Sequence, residues 1–283
     1  MTSSPQPCQW SPQSAGLRQD EDGVWSAPST QALSYPRYGN AQCFQVEDSS
    51  FWFAHRNRCI VATMLRLRPA GLVVDVGAGN GFVARGLTDA GIETVVVEPG
   101  VDGARNAVQR GLRTVVRATF EEAGFAPQSL GGIGAFDVVE HIEDDVSFLR
   151  SLGERLQPSG RLYLTVPAFS WLWSDEDHFA GHFRRYSPRL LRDTLSQAGL
   201  TVEYLTAMFA WLPLPVFLAR TLPSRMRRRA PPSERLAVEH SLPSGAVGSA
   251  FRALLDAEAS AIARGARLPT GSSLLAVARK ANA

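Results

Sequence analysis

Residues 72–98 read L-V-V-D-V-G-A-G-N-G-F-V-A-R-G-L-T-D-A-G-I-E-T-V-V-V-E. The apolar, mostly β-branched run at 72–76 is typical of a strand that is buried on both faces, and so is the run at 94–97. Between the two runs, three glycines open a segment with helical apolar spacing. The pattern predicts a strand, a glycine turn, a helix and a second strand, which brings the turn and Glu98 to one edge of a parallel sheet.

The turn also indicates what kind of ligand it binds. Glycines alternate along it and allow positive φ and a close approach of ligand to backbone: Gly77, Gly79 and Gly81. Phe82 stands where a dinucleotide fingerprint needs its third glycine, and the Gly-Lys-Ser/Thr ending of a P-loop is absent. The Asp75 carboxylate would repel a pyrophosphate but suits an ammonium group, while Glu98 can accept both hydroxyls of a ribose. The pattern therefore favours a nucleoside that carries an amino acid and no phosphate.

Four segments resemble a known family. D-V-G-A-G-N-G at 75–81 resembles motif I of class I S-adenosylmethionine-dependent methyltransferases, and V-V-V-E at 95–98 resembles their second motif. F-D-V-V-E-H-I-E-D-D at 136–145 and L-P-T-G-S-S-L-L-A-V-A-R-K at 268–280 are similar to segments of a large bacterial group of type 11, 12 and 23 methyltransferases. The resemblance implies an α/β fold with a Rossmann-like, seven-stranded, mostly parallel sheet, helices on both faces, and a last strand inserted antiparallel between the preceding two.

The resemblance also implies a cofactor and the residues that bind it. S-adenosylmethionine would donate a methyl group to an oxygen, nitrogen or carbon atom and leave as S-adenosylhomocysteine. The methionine portion would lie against the turn and the ribose against the acidic strand end, with Asp137 where a later strand opens into the cleft. Phe120 would lie near the adenine, and the alternative is that it belongs to the core. The implied cofactor-binding residues are Asp75, Gly77, Gly79, Gly81, Glu98, Pro99, Phe120 and Asp137.

Candidates for catalysis follow the fourth and fifth predicted strands. An imidazole titrates near neutral pH and can remove a proton from an acceptor, so the candidates are His141, His178 and His182, together with Tyr186. The alternative for His141 is that it only stacks beside the cofactor or caps the next helix. Because the spacing of the Asp and His residues at 175–182 fits no standard metal site, the sequence predicts no metal.

Two segments are candidates for acceptor binding. The predicted helix that Ser49 or Ser50 begins either closes the pocket or packs on the sheet edge. The loop after the fifth strand is rich in aromatic and basic residues, although its arginines could instead pair with local carboxylates. The residues in these two segments predicted to bind the acceptor are Phe51, Trp52, His55, Arg56, Trp171, Trp173, Arg184 and Arg185.

The chain divides by composition into five parts. They are a flexible N-terminal arm at 1–33, a cap-helix region at 34–69, a cofactor-binding core at 70–206, an apolar and basic insertion at 207–250, and a C-terminal helix and closing strand at 251–283. The apolar stretch at 207–223 is interrupted by Pro213 and Pro215 and is too short for a membrane span. It could roof an apolar pocket. Together with the arginines that follow it, residues 207–229 could instead rest on an anionic membrane surface as a peripheral contact.

Composition narrows the function classes. A net charge of +2 and the lack of an N/D-P-P-Y motif argue against a nucleic-acid partner. Three cysteines without CxxC spacing and an N-terminus without a signal-like run predict a cytoplasmic protein. The sequence specifies no oligomeric state.

We therefore expect a methyltransferase that acts on a small-molecule acceptor. A natural product or sugar fits the loop after the fifth strand, and an isoprenoid or lipid-linked acceptor fits 207–229. The alternative is a protein that binds S-adenosylmethionine for other chemistry or as a non-catalytic partner.

Overall fold

The computed structural model describes residues 10–27, 39–226 and 244–280. Its centre is one sheet of nine strands in the order β1-β2-β5-β4-β3-β6-β7-β9-β8. The strands are β1 Arg18–Gln19, β2 Trp25–Ser26, β3 Val73–Val76, β4 Thr94–Val97, β5 Val115–Arg117, β6 Leu130–Phe136, β7 Leu156–Pro167, β8 Leu200–Met208 and β9 Ser273–Lys280.

The six strands β2 to β7 are all parallel to one another. The last strand, β9, is antiparallel to them and lies between β7 and β8. β9 pairs antiparallel with both β7 and β8, with Thr165 opposite Leu275 and Thr206 opposite Leu275 from the other side. The Rossmann-like α/β class predicted from the sequence is confirmed, including the position of the closing strand. The sheet has nine strands rather than seven because β1 and β2 extend its edge beyond β5.

Helices cover both faces of the sheet. They are α1 Gly39–Val46, α2 Phe51–Arg66, α3 Phe82–Asp89, α4 Val101–Gln109, α5 Asp145–Arg155, α6 Asp175–Ala180, α7 Pro188–Gln197, α8 Pro213–Val216, α9 Leu222–Arg225 and α10 Gly245–Ala263. A π-helical turn, Phe217–Thr221, joins α8 to α9, and we call Pro213–Arg225 as a whole the roof segment. Among the described residues, no helix combines the length and apolarity needed to cross a bilayer.

Alternation along the strands divides the core into two layers. Val74 and Val76 pack with the apolar sides of α5 and α7, whereas Val73 packs with α2 and α10 on the other face. The capping residues act as the sequence predicts, since Ser50 Oγ accepts from Phe53 N at the start of α2 and Ser187 Oγ from Leu190 N at the start of α7. The two layers hold the strand ends rigidly at the edge where the site forms.

Part of the predicted flexible arm is ordered. Residues 10–27 carry the β1–β2 ribbon, and β2 pairs parallel with β5. The Trp10 ring packs on Phe125 with centroids 4.5 Å apart, and its Nε1 donates to Ala123 O at 3.1 Å. The prediction of a flexible arm is therefore wrong for residues 10–27. Apolar contacts with residues distant in sequence offset the conformational entropy that is lost when this polar segment becomes ordered. Residues 1–9 and 28–38 lie outside the described residues.

Two other predicted boundaries differ from the observed ones. The apolar run G-G-I-G-A-F-D-V-V predicts the fourth strand over 131–139. The observed strand β6 ends at Phe136, because Asp137 takes a left-handed φ of 58° and a short 3₁₀ turn follows at Val139–His141. The C-terminal helix, predicted from Phe251, begins at Gly245. The early strand end matters for function, since it turns residues 137–141 across the sheet edge.

Candidate active site

A cavity of about 1220 Å³ lies at the carboxyl ends of β3, β4, β6 and β7. This is larger than the roughly 300–1,000 Å³ of a typical small-molecule site, so it can hold two ligands side by side. Its lining combines the glycine turn, the Glu98 strand end, the 137–141 turn, α2 and the roof segment. The sequence-predicted site residues that line it are Asp75, Gly77, Gly79, Glu98, Pro99, Asp137, Phe51, Trp52, Arg56, His141, His182 and Arg185.

The glycine turn has the left-handed backbone that its sequence predicts. Gly77, Gly79 and Gly81 have φ values of 64°, 55° and 73°. A Cβ on Gly81 would lie 2.5 Å from Leu112 Cδ1 and 3.0 Å from Ala107 Cβ. Gly81 is thus packed behind the turn against α4 and does not line the cavity. Gly81 allows the turn to lie close to α4. Gly77 and Gly79 remain the two glycines that are candidates for ligand contact.

Asp75 is a buried carboxylate that lacks a partner. It is 2% exposed, and neither Oδ1 nor Oδ2 has a hydrogen-bond partner although the residue lines the cavity. Burial raises its pKa to about 7, against a weaker lowering by Arg56. An unpartnered buried carboxylate is costly, so its presence at the cavity wall fits a cationic ligand group.

Glu98 is held by the backbone at the end of β4. Its Oε2 accepts from Gly79 N and its Oε1 from Gly100 N, both at 2.7 Å. The two bonds fix the carboxylate between the glycine turn and the start of α4. A carboxylate fixed at a strand end beside a glycine turn can bind the hydroxyls of a ribose.

A polar network holds α1 beside the glycine turn. Asn80 Nδ2 donates to Glu47 Oε1 at 3.1 Å, and Asn80 Oδ1 accepts from Asn106 Nδ2 at 2.8 Å. Glu47 Oε2 pairs with Arg110 at 2.9 Å. Sequence reasoning missed Glu47 and Asn80, although the polar side chain between Gly79 and Gly81 was the available clue. The network ties three elements to the ligand-binding turn.

Arg56 joins α2 to the 137–141 turn across the cavity wall. Its Nε lies 2.7 Å from Asp137 Oδ2, and its Nη2 donates to Phe136 O at 3.1 Å. Thr165 Oγ1 donates to the other carboxylate oxygen of Asp137 at 2.9 Å. The Arg56 guanidinium also lies 5.2 Å from the Trp52 ring. The first turns of α2 thus line one side of the cavity, and its later residues pack on the sheet, so the helix combines the two positions that the sequence offers as alternatives.

The far end of the cavity carries a cluster of ionisable groups. The His141 and His182 rings meet edge to face with centroids 4.8 Å apart. Burial, and then the neighbouring His182, lower the pKa of His141 to about 4, so this imidazole is neutral at pH 7. Burial opposes ionisation of Asp177, but hydrogen bonds from His182 and Arg185 prevail and lower its pKa to about 2. Burial, and then Asp137, raise the pKa of Glu140 well above its usual range.

The roof of the cavity is largely apolar and is anchored through α10. Four apolar residues of the roof segment and the residue before it line the cavity, Leu212, Pro215, Val216 and Ala219, together with Arg220. The Glu258 carboxylate of α10 accepts from Phe209 N at 2.6 Å and Ala210 N at 2.7 Å, which fixes the chain entering the roof segment. The Phe209 ring in turn stacks parallel on Trp52, 5.7 Å away.

The remaining sequence candidates lie away from the cavity. His55 is buried and bonded to Glu258 at 2.7 Å, so it anchors α10 to α2. Phe120 packs in the core on Phe125. Tyr186 and Arg184 both bind Asp145, each at 2.7 Å, and stabilise the start of α5. These side chains build the framework, and the structure does not bring them into the cleft.

Three aromatic or imidazole groups of the loop after β7 also face away. Trp173 Nε1 donates to His178 Nε2 at 2.9 Å, and neither residue lines the cavity. Trp171 is 43% exposed and packs on Phe217 of the roof segment. The short helix α6, which is capped by Ser174 and Asp177, divides the loop: Glu176, Asp177, Ala180, His182 and Arg185 line the cavity, whereas Trp171, Trp173 and His178 do not.

Fold and cleft together define a Rossmann-like α/β protein with a site for an amino-acid-bearing nucleoside. The family model of the methyltransferase domain matches residues 51–205, more than half of the chain, and the chain belongs to this family. It is an S-adenosylmethionine-dependent methyltransferase with S-adenosylmethionine as its cofactor.

Relatives and solved structures agree with this assignment. The chain is 25% identical over 163 residues to a ubiquinone biosynthesis O-methyltransferase of Xanthomonas axonopodis pv. citri, covering 50% of this chain and 68% of the relative. It is 36% identical over 107 residues to the enzyme of the same name from Azorhizobium caulinodans, covering 35% of this chain and 42% of that one.

Two solved structures share the fold at 17% identity. A methyltransferase of Thermotoga maritima has a TM-score of 0.53 and covers 86% of this chain and 100% of its own. Phosphoethanolamine N-methyltransferase 2 of Haemonchus contortus, in complex with S-adenosyl-L-methionine, also has a TM-score of 0.53 and covers 88% of this chain and 58% of its own.

Proposed function

We propose that this methyltransferase acts on a hydroxyl group of a small acceptor with a largely apolar body, of the isoprenoid or lipid-linked kind. The observation that carries the proposal is the apolar surface that Leu212, Pro215 and Val216 add to the cavity, in addition to the ionisable groups at its acceptor end. The Trp171, Trp173 and Arg184 side chains that would favour a sugar lie outside it.

The cofactor would occupy the end of the cavity at the glycine turn. The unpartnered Asp75 carboxylate fits an ammonium group, and Glu98 fits a ribose. When bound, S-adenosylmethionine supplies an electrophilic methyl group. The protein then has mainly to align the acceptor and exclude water, a role for which the aromatic wall of α2, with Phe51 and Trp52, is suited.

The names of the relatives favour oxygen as the methylated atom, since they are O-methyltransferases. A hydroxyl must lose its proton as it is methylated. His141 is a neutral imidazole at the acceptor end of the cavity, and because its pKa of about 4 makes it a weak base, its role is to position the hydroxyl while the proton leaves to solvent. We infer that His141 faces the acceptor hydroxyl and His182 lies beside it, whereas His178 and Tyr186 take no part.

The proposal is tested with methyl-labelled cofactor and three matched acceptors. We expect label transfer to a hydroxylated aromatic ring that carries an isoprenoid tail, at least tenfold slower transfer to the same ring without the tail, and none to a sugar. Transfer to the acceptor with the tail is faster because the roof segment removes the apolar tail from water. Preference for the sugar, or S-adenosylhomocysteine formation without any methylated product, would contradict the proposal.

We also propose that the roof segment rests on a membrane surface from which such an acceptor is taken. Leu214, Leu218 and Leu222 are 64%, 53% and 39% exposed along its outer side, at helical spacing, and Arg225 follows them. The sequence continues with three more arginines at 227–229, beyond the described residues. Apolar residues beside arginines suit an anionic interface.

Vesicle co-sedimentation tests the membrane contact. The full chain is expected to sediment with vesicles containing phosphatidylserine, and the Leu214→Ser/Leu218→Ser double variant to bind at least fivefold more weakly, because it loses apolar area at the interface. Leu190→Ser is the matched control, since Leu190 is 42% exposed on α7, which packs on the other face of the sheet. Equal binding by the double variant and the wild type would exclude the contact.

A further inference from the structure

The acceptor end of the cavity holds three potential metal ligands from two distant parts of the chain. Glu140, His141 and His182 each present a ligand atom, and these atoms lie within 4.8 Å of one another. All three residues line the cavity. The arrangement depends on the fold, since Phe183 N donates to Glu140 O at 2.8 Å and so brings the His182 segment onto the 137–141 turn.

The Glu140 carboxylate supplies the first independent sign of a ligand. Glu140 is 1% exposed, and its Oε2 has no hydrogen-bond partner although it lies at the cavity wall. A buried carboxylate oxygen without a partner is destabilising, and a bound cation would satisfy it.

The His182 imidazole is oriented as metal-ligating histidines usually are. His182 Nδ1 donates to Asp177 Oδ1 at 2.8 Å, and Asp177 is itself fixed by Arg185 through contacts of 2.7 and 2.9 Å. This leaves His182 Nε2 as the ligand atom. Outer-shell acceptors such as Asp177 fix the ring orientation of metal ligands. The His141 ring lies edge to face against His182, with ring centroids 4.8 Å apart, and close to the backbone of Ala180 and Gly181.

We propose that Glu140, His141 and His182 bind a first-row transition-metal dication that holds the acceptor's hydroxyl beside the cofactor. Two imidazoles and one carboxylate on one side of an ion favour zinc, iron or manganese over magnesium or calcium and leave positions open for oxygen ligands. The ion would lower the pKa of the bound hydroxyl, whose proton leaves to solvent. This role in acceptor binding rests on the proposed function.

The three side chains must move closer together to accept the ion. Metal bonds of about 2.0–2.2 Å at octahedral or tetrahedral angles place ligand atoms roughly 3–3.5 Å apart. Ligand atoms that lie as far as 4.8 Å apart in the structure must therefore approach each other by roughly 1–2 Å. The other described cluster of this kind, His55, Cys59 and Glu258, is sealed in the core, and its His55 Nε2 is already bonded to Glu258. The cavity cluster is therefore the one open to an incoming ion.

The test measures metal binding directly on untagged, chelator-treated full-length protein. Dialysis against zinc followed by elemental analysis is expected to give one ion per chain, and cobalt is expected to give visible absorption bands of a site with nitrogen and oxygen ligands. Glu140→Gln and His182→Asn are expected to weaken binding at least tenfold. His178→Asn, which removes an imidazole from the same helix segment outside the cavity, is the matched control and should bind like the wild type.

Calorimetry with S-adenosylhomocysteine separates this inference from the proposed function. Glu140→Gln is expected to retain its affinity for S-adenosylhomocysteine, which shows that the variant is folded. A wild type that binds S-adenosylhomocysteine but takes up less than about a fifth of an ion per chain would overturn the metal site while leaving methyl transfer intact. So would equal zinc uptake by Glu140→Gln, His182→Asn and the control.

Discussion

Replacing Asp75 by asparagine is expected to weaken S-adenosylhomocysteine binding about 30- to 100-fold and, at pH 8, to stabilise the protein without cofactor. The Asp75 carboxylate is fully buried, and neither of its oxygens has a partner until a ligand arrives. Loss of a buried charge-assisted contact costs about 2–3 kcal/mol of binding free energy. The same substitution removes an uncompensated buried charge, which raises the free energy of unfolding by about 1–2 kcal/mol.

Calorimetry and thermal unfolding measure the two effects on the same samples. Asp89→Asn is the matched control, because Asp89 lies at the exposed end of α3 and pairs only with Arg85 on the surface. It should change neither the affinity nor the melting temperature appreciably. An Asp75→Asn protein that binds S-adenosylhomocysteine as tightly as the wild type would remove Asp75 from the cofactor site.

Cofactor affinity is also expected to depend on pH through Asp75. Its pKa in the folded, unliganded protein is about 7, raised from an ordinary value of 3.8 by burial. A cationic ligand group binds the ionised form, so the dissociation constant for S-adenosylhomocysteine should fall as the pH rises from 6 to 8. Conversely, the folded form holds the proton more tightly than the unfolded chain, so stability without cofactor falls from about pH 4 to pH 7. Asp75→Asn should lose both dependences.

The sequence predicts the cofactor end of the site, because a single continuous segment, residues 72–98, forms it. Asp75, Gly77 and Gly79 and the strand that ends at Glu98 are close in sequence, and their spacing alone requires a tight turn at a sheet edge. Their positions in the cavity follow from the carboxyl ends of parallel strands meeting at one edge. The glycine and apolar spacing predicts the same turn that the arrangement of parallel strands requires, and the prediction of the turn is confirmed.

The acceptor end could not be predicted in this way, because it depends on contacts between distant segments. Trp171, His178 and His182 lie in the same aromatic and basic loop, so the sequence does not distinguish them. The position of the capped helix α6 determines that His182 lines the cavity and that the other two do not. Tyr186 likewise follows the functional loop in sequence but is directed into the core by Asp145, 41 residues earlier. Glu140 and His182 are too far apart in sequence for helix or strand periodicity to predict that they meet.

Replacing Gly81 by alanine is expected to lower the free energy of unfolding by about 3–4 kcal/mol and to weaken S-adenosylhomocysteine binding at least tenfold. Its φ of 73° costs an alanine about 1–2 kcal/mol. A Cβ would also lie 2.5 Å from Leu112 Cδ1 and 3.2 Å from Ala107 Cα, in a packed region where overpacking adds about 1–3 kcal/mol. Since Ala107 contributes backbone there, the turn rather than α4 must move.

Gly199→Ala isolates the backbone contribution. Gly199 has a similar φ of 77°, but a Cβ there would meet nothing within 4 Å, and the residue lies between α7 and β8, away from the cavity. It should lose only about 1 kcal/mol and bind S-adenosylhomocysteine like the wild type. Denaturant unfolding of both variants gives the difference. If the two variants lose equal stability, the close approach of the turn to α4 is unimportant. If only Gly81→Ala loses affinity as well, the packing behind the turn holds Gly77 and Gly79 in the position where the cofactor binds.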